Sequence, residues 1–372
     1  MRYLILLCNL VMLSNTVYSR QSTHNYTLAG TINADTGTIN LLSSFRPKQA
    51  TKVVNGKFSF TDSIEYPTAG WLFFYKGAEL LYRSEMFFIE PGNQTIICKV
   101  GSFSEIPEIS NKTMKEYKVC KRDFEYYYDA LDRESHFNDS IRQYYHKIVP
   151  QDLAIAHTRK VDSLTNECNK TLKLYVTHHP DSYVAFWTLY TLLPRGFTPV
   201  FDSIFNLFSA NLRNASCGKK LEEKLIAAKV VATGSKFPQM ELKDITDSSI
   251  ILPEFRKSRG YTLIDFWYSH CPPCKQQFPA FKKMYDKYKP DGFEIIGISI
   301  DQANEIDDWK KVISDMELHW LQYRDKNNTN AGKFSIQQFP SNFLLDKNGI
   351  IIKRNIKIVE LEKLLAEQKK PD

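Results

Sequence analysis

Between Tyr26 and Cys98 the apolar positions fall in short runs rich in β-branched and aromatic residues: "YTLAGTIN", "GTINLLSS", "KVVNGKFSFT", "GWLFFY" and "EMFFIEPGNQTIICKV". Turn formers punctuate them at Asp35-Thr36-Gly37, Asn55-Gly56 and Pro91-Gly92-Asn93, which predicts hairpins with no helix between them. A small antiparallel β-sandwich is expected over residues 20–107. From about Asn111 the period lengthens. Met114, Tyr117, Cys120, Phe124, Tyr127 and Leu131 recur at three- and four-residue steps. "SYVAFWTLYTLL", begun by Pro180-Asp181-Ser182, and "KKLEEKLIAAKVVA" read the same way, so residues 108–233 are expected to be an α-helical insert. Its Tyr126-Tyr127-Tyr128 run and Tyr144-Tyr145 pair read as helix-packing aromatics. After Gly234-Ser235 strands and helices alternate. "YTLIDFWY", "FEIIGISID", "SNFLLD" and "GIIIKRN" are strands, the last two joined by a turn at Asp346-Lys347-Asn348-Gly349. "CKQQFPAFKKMYDKY", "NEIDDWKKVISDM" and "VELEKLLAEQ" are helices, and the order predicts an α/β domain with a central mixed sheet over residues 234–372.

The N-terminus adds a compartment. "MRYLILLCNLVMLSNTVYSR" has Arg2, an apolar run from Tyr3 to Leu13, and small residues before a break after Ser19. That is the shape of a secretory signal over residues 1–19, with Cys8 inside it. Export to a periplasm changes how the remaining cysteines are read, because disulfides persist where the compartment is oxidising. Cys98, Cys120, Cys168 and Cys217 are scattered, and spacing does not choose between buried thiols and disulfides. With 372 residues, 43% hydrophobic positions and a net charge of +7 spread among acids, the chain reads as a multidomain globular protein without a nucleic-acid footprint.

The chemistry concentrates in "IDFWYSHCPPCKQQFP", Ile264 to Pro279. Two thiols spaced C-x-x-C at a helix start can reach disulfide distance, while unpaired N–H groups and the positive helix end favour a thiolate. Cys271, read as the one at the exposed edge of the turn, would attack a substrate disulfide, and Cys274, one turn deeper, would resolve the mixed disulfide. Asp265 lies on the entering strand, where a buried carboxylate can exchange protons with Cys274. Pro279 interrupts the helix, and Pro340 opens a strand after the apolar Phe339.

From Lys236 to about Lys370 the chain resembles the thioredoxin superfamily and, within it, the exported TlpA-like and ResA-like thiol–disulfide oxidoreductases. The phrases that carry this are "LIDFWYSHCPPCKQQFP", "GFEIIGISID" and "FPSNFLLDKNGIII". More loosely, "LAGTIN" and "VVNGKFSFT" resemble the sandwich of unknown function that, with a helical spacer, precedes such domains in exported bacterial proteins. The resemblance implies that Pro340 is a cis-proline beside the cysteines, that Asp265 is the buried acid, and that Trp267 covers the active-site side of the sheet. Trp267, His270 and Phe339 are then expected to contact substrate. The chain departs from the family at His270, where tryptophan is usual, and at Gln277, where ResA-like proteins often have glutamate.

Three other readings compete. A zinc half-site would need two further ligands, and no second C-x-x-C exists, so no metal and no cofactor are expected. A peroxidase would place threonine three residues before its cysteine, where Tyr268 stands. A structural disulfide would make the chain a partner-binding module with the thioredoxin-like domain as scaffold. The main expectation is an exported enzyme that reduces protein disulfides and is recharged by a thiol electron donor, a membrane thiol transporter being one candidate.

Overall fold

A computed structural model describes residues 23–101, 103–144, 150–252 and 260–368. The signal-like segment 1–19, with Cys8 and the break after Ser19, lies outside the described residues, as do Tyr145 and the last four residues of the 234–372 domain. The chain divides into two units, Met1–Asn111 and Lys112–Asp372.

Among the described residues the first unit is built from strands: β1 (His24–Ile32), β2 (Thr36–Ser43), β3 (Gln49–Val54), β4 (Lys57–Ile64), β5 (Thr68–Lys76), β6 (Glu79–Ser84), β7 (Phe87–Ile89), β8 (Gly92–Cys98), β9 (Phe103–Glu105) and β10 (Glu108–Ile109). Hydrogen bonds link them in the order β10-β8-β1-β4-β3-β2-β5-β6-β9, with β7 beside β5. Period-two patterning decides which side faces inward: Tyr26, Leu28, Gly30 and Ile32 of β1 are buried. At the β3–β4 hairpin Asn55 and Gly56 both adopt positive φ, 50° and 72°, as a tight two-residue turn requires. The hairpins are antiparallel, but β1–β8 and β6–β9 pair in parallel. That departs from an all-antiparallel arrangement because β8 and β9 each join the sheet beside a strand that is not their chain neighbour.

The second unit begins with helices α1 (Lys112–Tyr144), α2 (Gln151–His178), α3 (Tyr183–Leu192), α4 (Pro199–Leu207), α5 (Ala210–Asn214) and α6 (Ser216–Val230). Ser182 caps α3, its side chain accepting from the Ala185 N–H. Tyr126 is exposed, not packed inward, its ring meeting Tyr127 edge-on. The chain continues through β11 (Glu241–Lys243), β12 (Ser249–Ile251), β13 (Thr262–Trp267), α7 (Pro272–Tyr288), β14 (Glu294–Ser299), α8 (Ile306–Asp315), β15 (Leu321–Arg324), α9 (Thr329–Lys333), β16 (Ser341–Leu345), β17 (Ile351–Arg354) and α10 (Ile358–Gln368). These seven strands form one mixed sheet, ordered β12-β11-β15-β14-β13-β16-β17, with β13 parallel to β14 and antiparallel to β16. The β16–β17 turn is closed by Asp346, whose carboxylate accepts the N–H groups of Asn348 and Ile350.

Every residue of β13 is buried, and alternation divides them between two cores. Leu263 and Trp267 join the cluster that holds α7, α8 and α10 residues, including Phe278, Trp309 and Leu361. Ile264 and Phe266 face the other cluster, with Phe237, Phe343 and, from the end of the helical region, Val231. The helical region also meets the sheet through polar contacts, as where Arg354 of β17 donates from Nη2 to the Pro194 carbonyl at 3.5 Å. It belongs to the same unit as the α/β part.

Candidate active site

The site forms where β13 hands the chain to α7. Cys271 is the N-cap of α7, and Pro272 and Pro273 fill its first positions. Proline costs nothing there, since first-turn N–H groups have no helical partner. Two of those donors are thereby deleted. The first remaining N–H, that of Cys274, donates to the Cys271 Sγ at 3.2 Å. The two cysteines are joined in a disulfide, with their Cα atoms 5.3 Å apart.

Cys271 is not at an exposed edge. It is 1% exposed, as is Cys274. Its sulfur is turned back over the first turn of α7, and the rings of Tyr268 and Phe339, edge to face with centroids 5.8 Å apart, pack against the same cluster. The Phe339–Pro340 peptide bond is cis, and Pro340 is half-buried at the start of β16, the strand paired with β13.

Asp265 lies on the α7 face of β13, between Leu263 and Trp267. It is 2% exposed, and its Oδ1 has no hydrogen-bond partner. Burial alone pushes its carboxyl up to about 8, because a charge there would lose water and gain no partner. An acid in this state holds its proton at neutral pH and gives up or takes one with little driving force either way.

The remaining expected site residues are placed unequally. Trp267 is fully buried, so it packs instead of presenting a substrate-facing surface. Its ring stands edge-on to Phe278 of α7 at 5.1 Å, and its Nε1 donates to Gln322 Oε1 at 3.3 Å. It lies beneath the cysteine helix because β13 is a central strand, covered on both faces. His270 is exposed, and its Nε2 lies 3.1 Å from Asp308 Oδ2 on α8. Gln277 is half-buried on α7, and α7 runs unbroken through the exposed Pro279 to Tyr288.

A buried anchor was not anticipated. Asp301, just after β14, accepts the Ser269 N–H at 2.9 and 3.0 Å, the Ser269 hydroxyl at 2.6 Å and the Ser299 hydroxyl at 2.6 Å. All three residues are buried. Ser269 is two residues before Cys271, so this carboxylate pins the loop that presents the disulfide. The available signal was the end of "FEIIGISID", where a polar Ser-x-Asp closes an apolar strand next to the C-x-x-C strand.

Among the described residues no group of three or more His, Cys, Asp or Glu side chains could hold a metal ion, and no helix is long and apolar enough to cross a membrane. Residues 233–354 match the AhpC/TSA family, and residues 26–118 match a domain of unknown function, DUF4369. The thiol–disulfide oxidoreductase ResA of a Bacillus cereus strain is 28% identical over 137 residues, 37% of this chain and 72% of the relative. ResA of Bacillus anthracis is 28% identical over 123 residues, 33% of this chain and 69% of the relative. Among solved structures, the thioredoxin domain of a thiol–disulfide oxidoreductase from Bacteroides vulgatus is 30% identical, with a TM-score of 0.33 over 36% of this chain and 98% of that one.

Proposed function

We propose, for a chain whose C-terminal domain is thioredoxin-like and related to the ResA thiol–disulfide oxidoreductases, that Cys271 and Cys274 are a working redox pair which reduces protein disulfides in an oxidising compartment outside the cytoplasm. The observation that carries this reading is the unpartnered, buried Asp265 carboxyl on the sheet face that packs under the Cys271–Cys274 turn. A purely structural disulfide has no use for a buried acid, which costs stability.

In the dithiol state the Cys271 thiolate attacks one sulfur of a substrate disulfide, and the other substrate sulfur leaves as a thiolate. Cys274 passes its proton to the Asp265 carboxylate and attacks the Cys271 sulfur. The Cys271–Cys274 bond forms, the mixed disulfide breaks, and the substrate departs having gained two electrons. The product is the disulfide form described above. A thiol donor of lower potential must return two electrons to start the next cycle. The leader-like N-terminus supports a periplasmic setting, and the protein clients would be exported proteins with accessible disulfides.

Equilibrating the full chain with glutathione buffers of defined potential, alongside insulin reduction, tests this. A Cys271–Cys274 couple poised above about −300 mV with measurable insulin turnover is expected. A couple below that value without turnover would establish a structural disulfide and overturn the reading.

A further inference from the structure

One rung of the mixed sheet holds two complementary polar groups that lack partners. Asp265 on β13 is in register with Gly297 on β14, and Gly297 is in register with Gln322 on β15. Both pairings are parallel, so side chains at these three positions leave the same face, and it is the face on which α7 packs. Leu263 and Trp267 on β13, Ile295 on β14 and Trp320 beside β15 belong to that one core. Strands two apart are roughly 10 Å from each other. A glutamine and an aspartate can span that distance only if the residue between them has no side chain. Gly297 supplies this: a Cβ placed there would lie 2.2 Å from Gln322 Oε1 and 3.0 Å from Gln322 Nε2. The Gln322 amide therefore lies over Gly297, on the way to Asp265.

The orientation of the amide follows from Trp267. Its Nε1 is a donor only, so the atom it meets at 3.3 Å is the Gln322 oxygen, and the NH2 is the other end. That Nε2 is buried with no acceptor, and Asp265 Oδ1 is buried with no donor. On its other side Asp265 is paired with Asn342, whose amide is already engaged with both backbone groups of Ile356.

We propose that Gln322 is a positioning residue for Asp265, its side-chain amide being the donor that stabilises the carboxylate before Asp265 takes the proton of Cys274. This rests on the redox reading of the cysteine pair. In the resolving step the Asp265 carboxylate gains a proton from the Cys274 sulfur, and the resulting thiolate attacks Cys271. A donor held ready on the same rung stabilises the carboxylate that must exist just before that transfer. Without it, burial alone would set how rarely the base is available. On that face, the core that Leu263 and Trp267 enter holds the titratable α7 residues Cys271, Cys274, Tyr285 and Tyr288. From β14, β15 and β16 the facing residues are Gly297, Gln322 and Asn342, none of which is charged.

The test uses the full oxidised chain, in which neither cysteine titrates, with carboxyl-labelled aspartate and side-chain-labelled glutamine followed by NMR across pH. The Gln322 amide resonance is expected to move in step with the Asp265 carboxyl. Gln322→Met, which keeps the volume and removes the donor, is expected to raise the Asp265 midpoint by about one pH unit. Resolution at neutral pH would then slow about tenfold, as the carboxylate fraction falls. Gly297→Ala, which displaces the amide from the rung, is expected to shift the midpoint the same way and serves if Gln322→Met does not fold. A Gln322 amide that stays fixed through the Asp265 titration, or a midpoint unmoved in either folded variant, would overturn the proposal and leave Gln322 as the partner of Trp267 alone. Coupled titration in a chain without reductase activity would uphold the link and sink the reductase reading instead.

Discussion

Cys217 and Cys271 invite comparison because both are buried and both stand at the start of a helix. Cys217 is the second residue of α6, and Cys271 is the cap of α7. Three residues beyond Cys217 is Lys220, whereas three beyond Cys271 is Cys274. Cys271 also has a loop pinned by Asp301 and a sheet face carrying Asp265, and Cys217 is buried in α6 beside Gly218 and Leu221. Cys98 and Cys120 mark the other extreme, buried thiols whose surroundings push them up to about 12 and so keep them protonated. Neither burial nor a helix start distinguishes Cys271 from the other cysteines. The separating features are a second thiol one turn on and a group that can move its proton.

Exchanging the cysteines for serine one at a time tests this difference most directly. Cys271→Ser should abolish insulin reduction, since the variant has lost the attacking sulfur. Cys217→Ser should leave the rate unchanged. A Cys271→Ser variant that still turns over, or a loss of activity on changing Cys217, would move the chemistry away from α7.

Asp265 gives the next largest effect, and it is an effect on stability. Its carboxyl titrates near 3.8 when exposed and at about 8 in the fold, so the folded chain holds a proton that the unfolded chain has lost. The associated stability is fully present below about pH 4 and declines as pH rises through about 8. Asp265→Asn keeps the shape and removes the titration. The variant is expected to be more stable than the parent at neutral and alkaline pH, by on the order of several kcal/mol, with the advantage gone at pH 4. Denaturant midpoints at a series of pH values check this, and parallel pH profiles for the two chains would refute it. Insulin reduction should slow in the same variant, so this position trades stability for chemistry.

Asp265 was legible in the sequence because a lone charge inside "TLIDFW" contradicts an otherwise apolar buried strand. The C-x-x-C and the strand–helix alternation around it were legible for the same reason, being local patterns. What sequence reasoning missed depends on pairing across distance. Asp301 acquires its role from Ser269, 32 residues earlier, and Gln322 from its register with a glycine on the neighbouring strand. Trp267 shows the converse error: an aromatic beside a motif suggests a surface, yet a central strand covered on both faces buries it. Cys271 was placed at an edge by its position in the turn, and is instead buried in a core against which Tyr268 and Phe339 pack from separate segments.

The smallest effects come from two aspartates near the loop before Cys271, one buried and one exposed. Asp301 meets Ser269 and Ser299 with acceptors only, and an asparagine there would turn donors toward those hydroxyls and the Ser269 N–H. Asp301→Asn is expected to cost about 2 kcal/mol of stability and to slow insulin reduction, because the loop it frees carries the attacking cysteine. Asp308 Oδ2 lies 3.1 Å from His270 Nε2, and the two side chains are each more than half exposed. Water and salt screen such a pair, so Asp308→Asn is expected to cost no more than about 0.5 kcal/mol and to leave the rate nearly unchanged. Equal losses from the two variants in denaturant unfolding would mean that the His270 contact holds the cysteine loop as firmly as the buried anchor does.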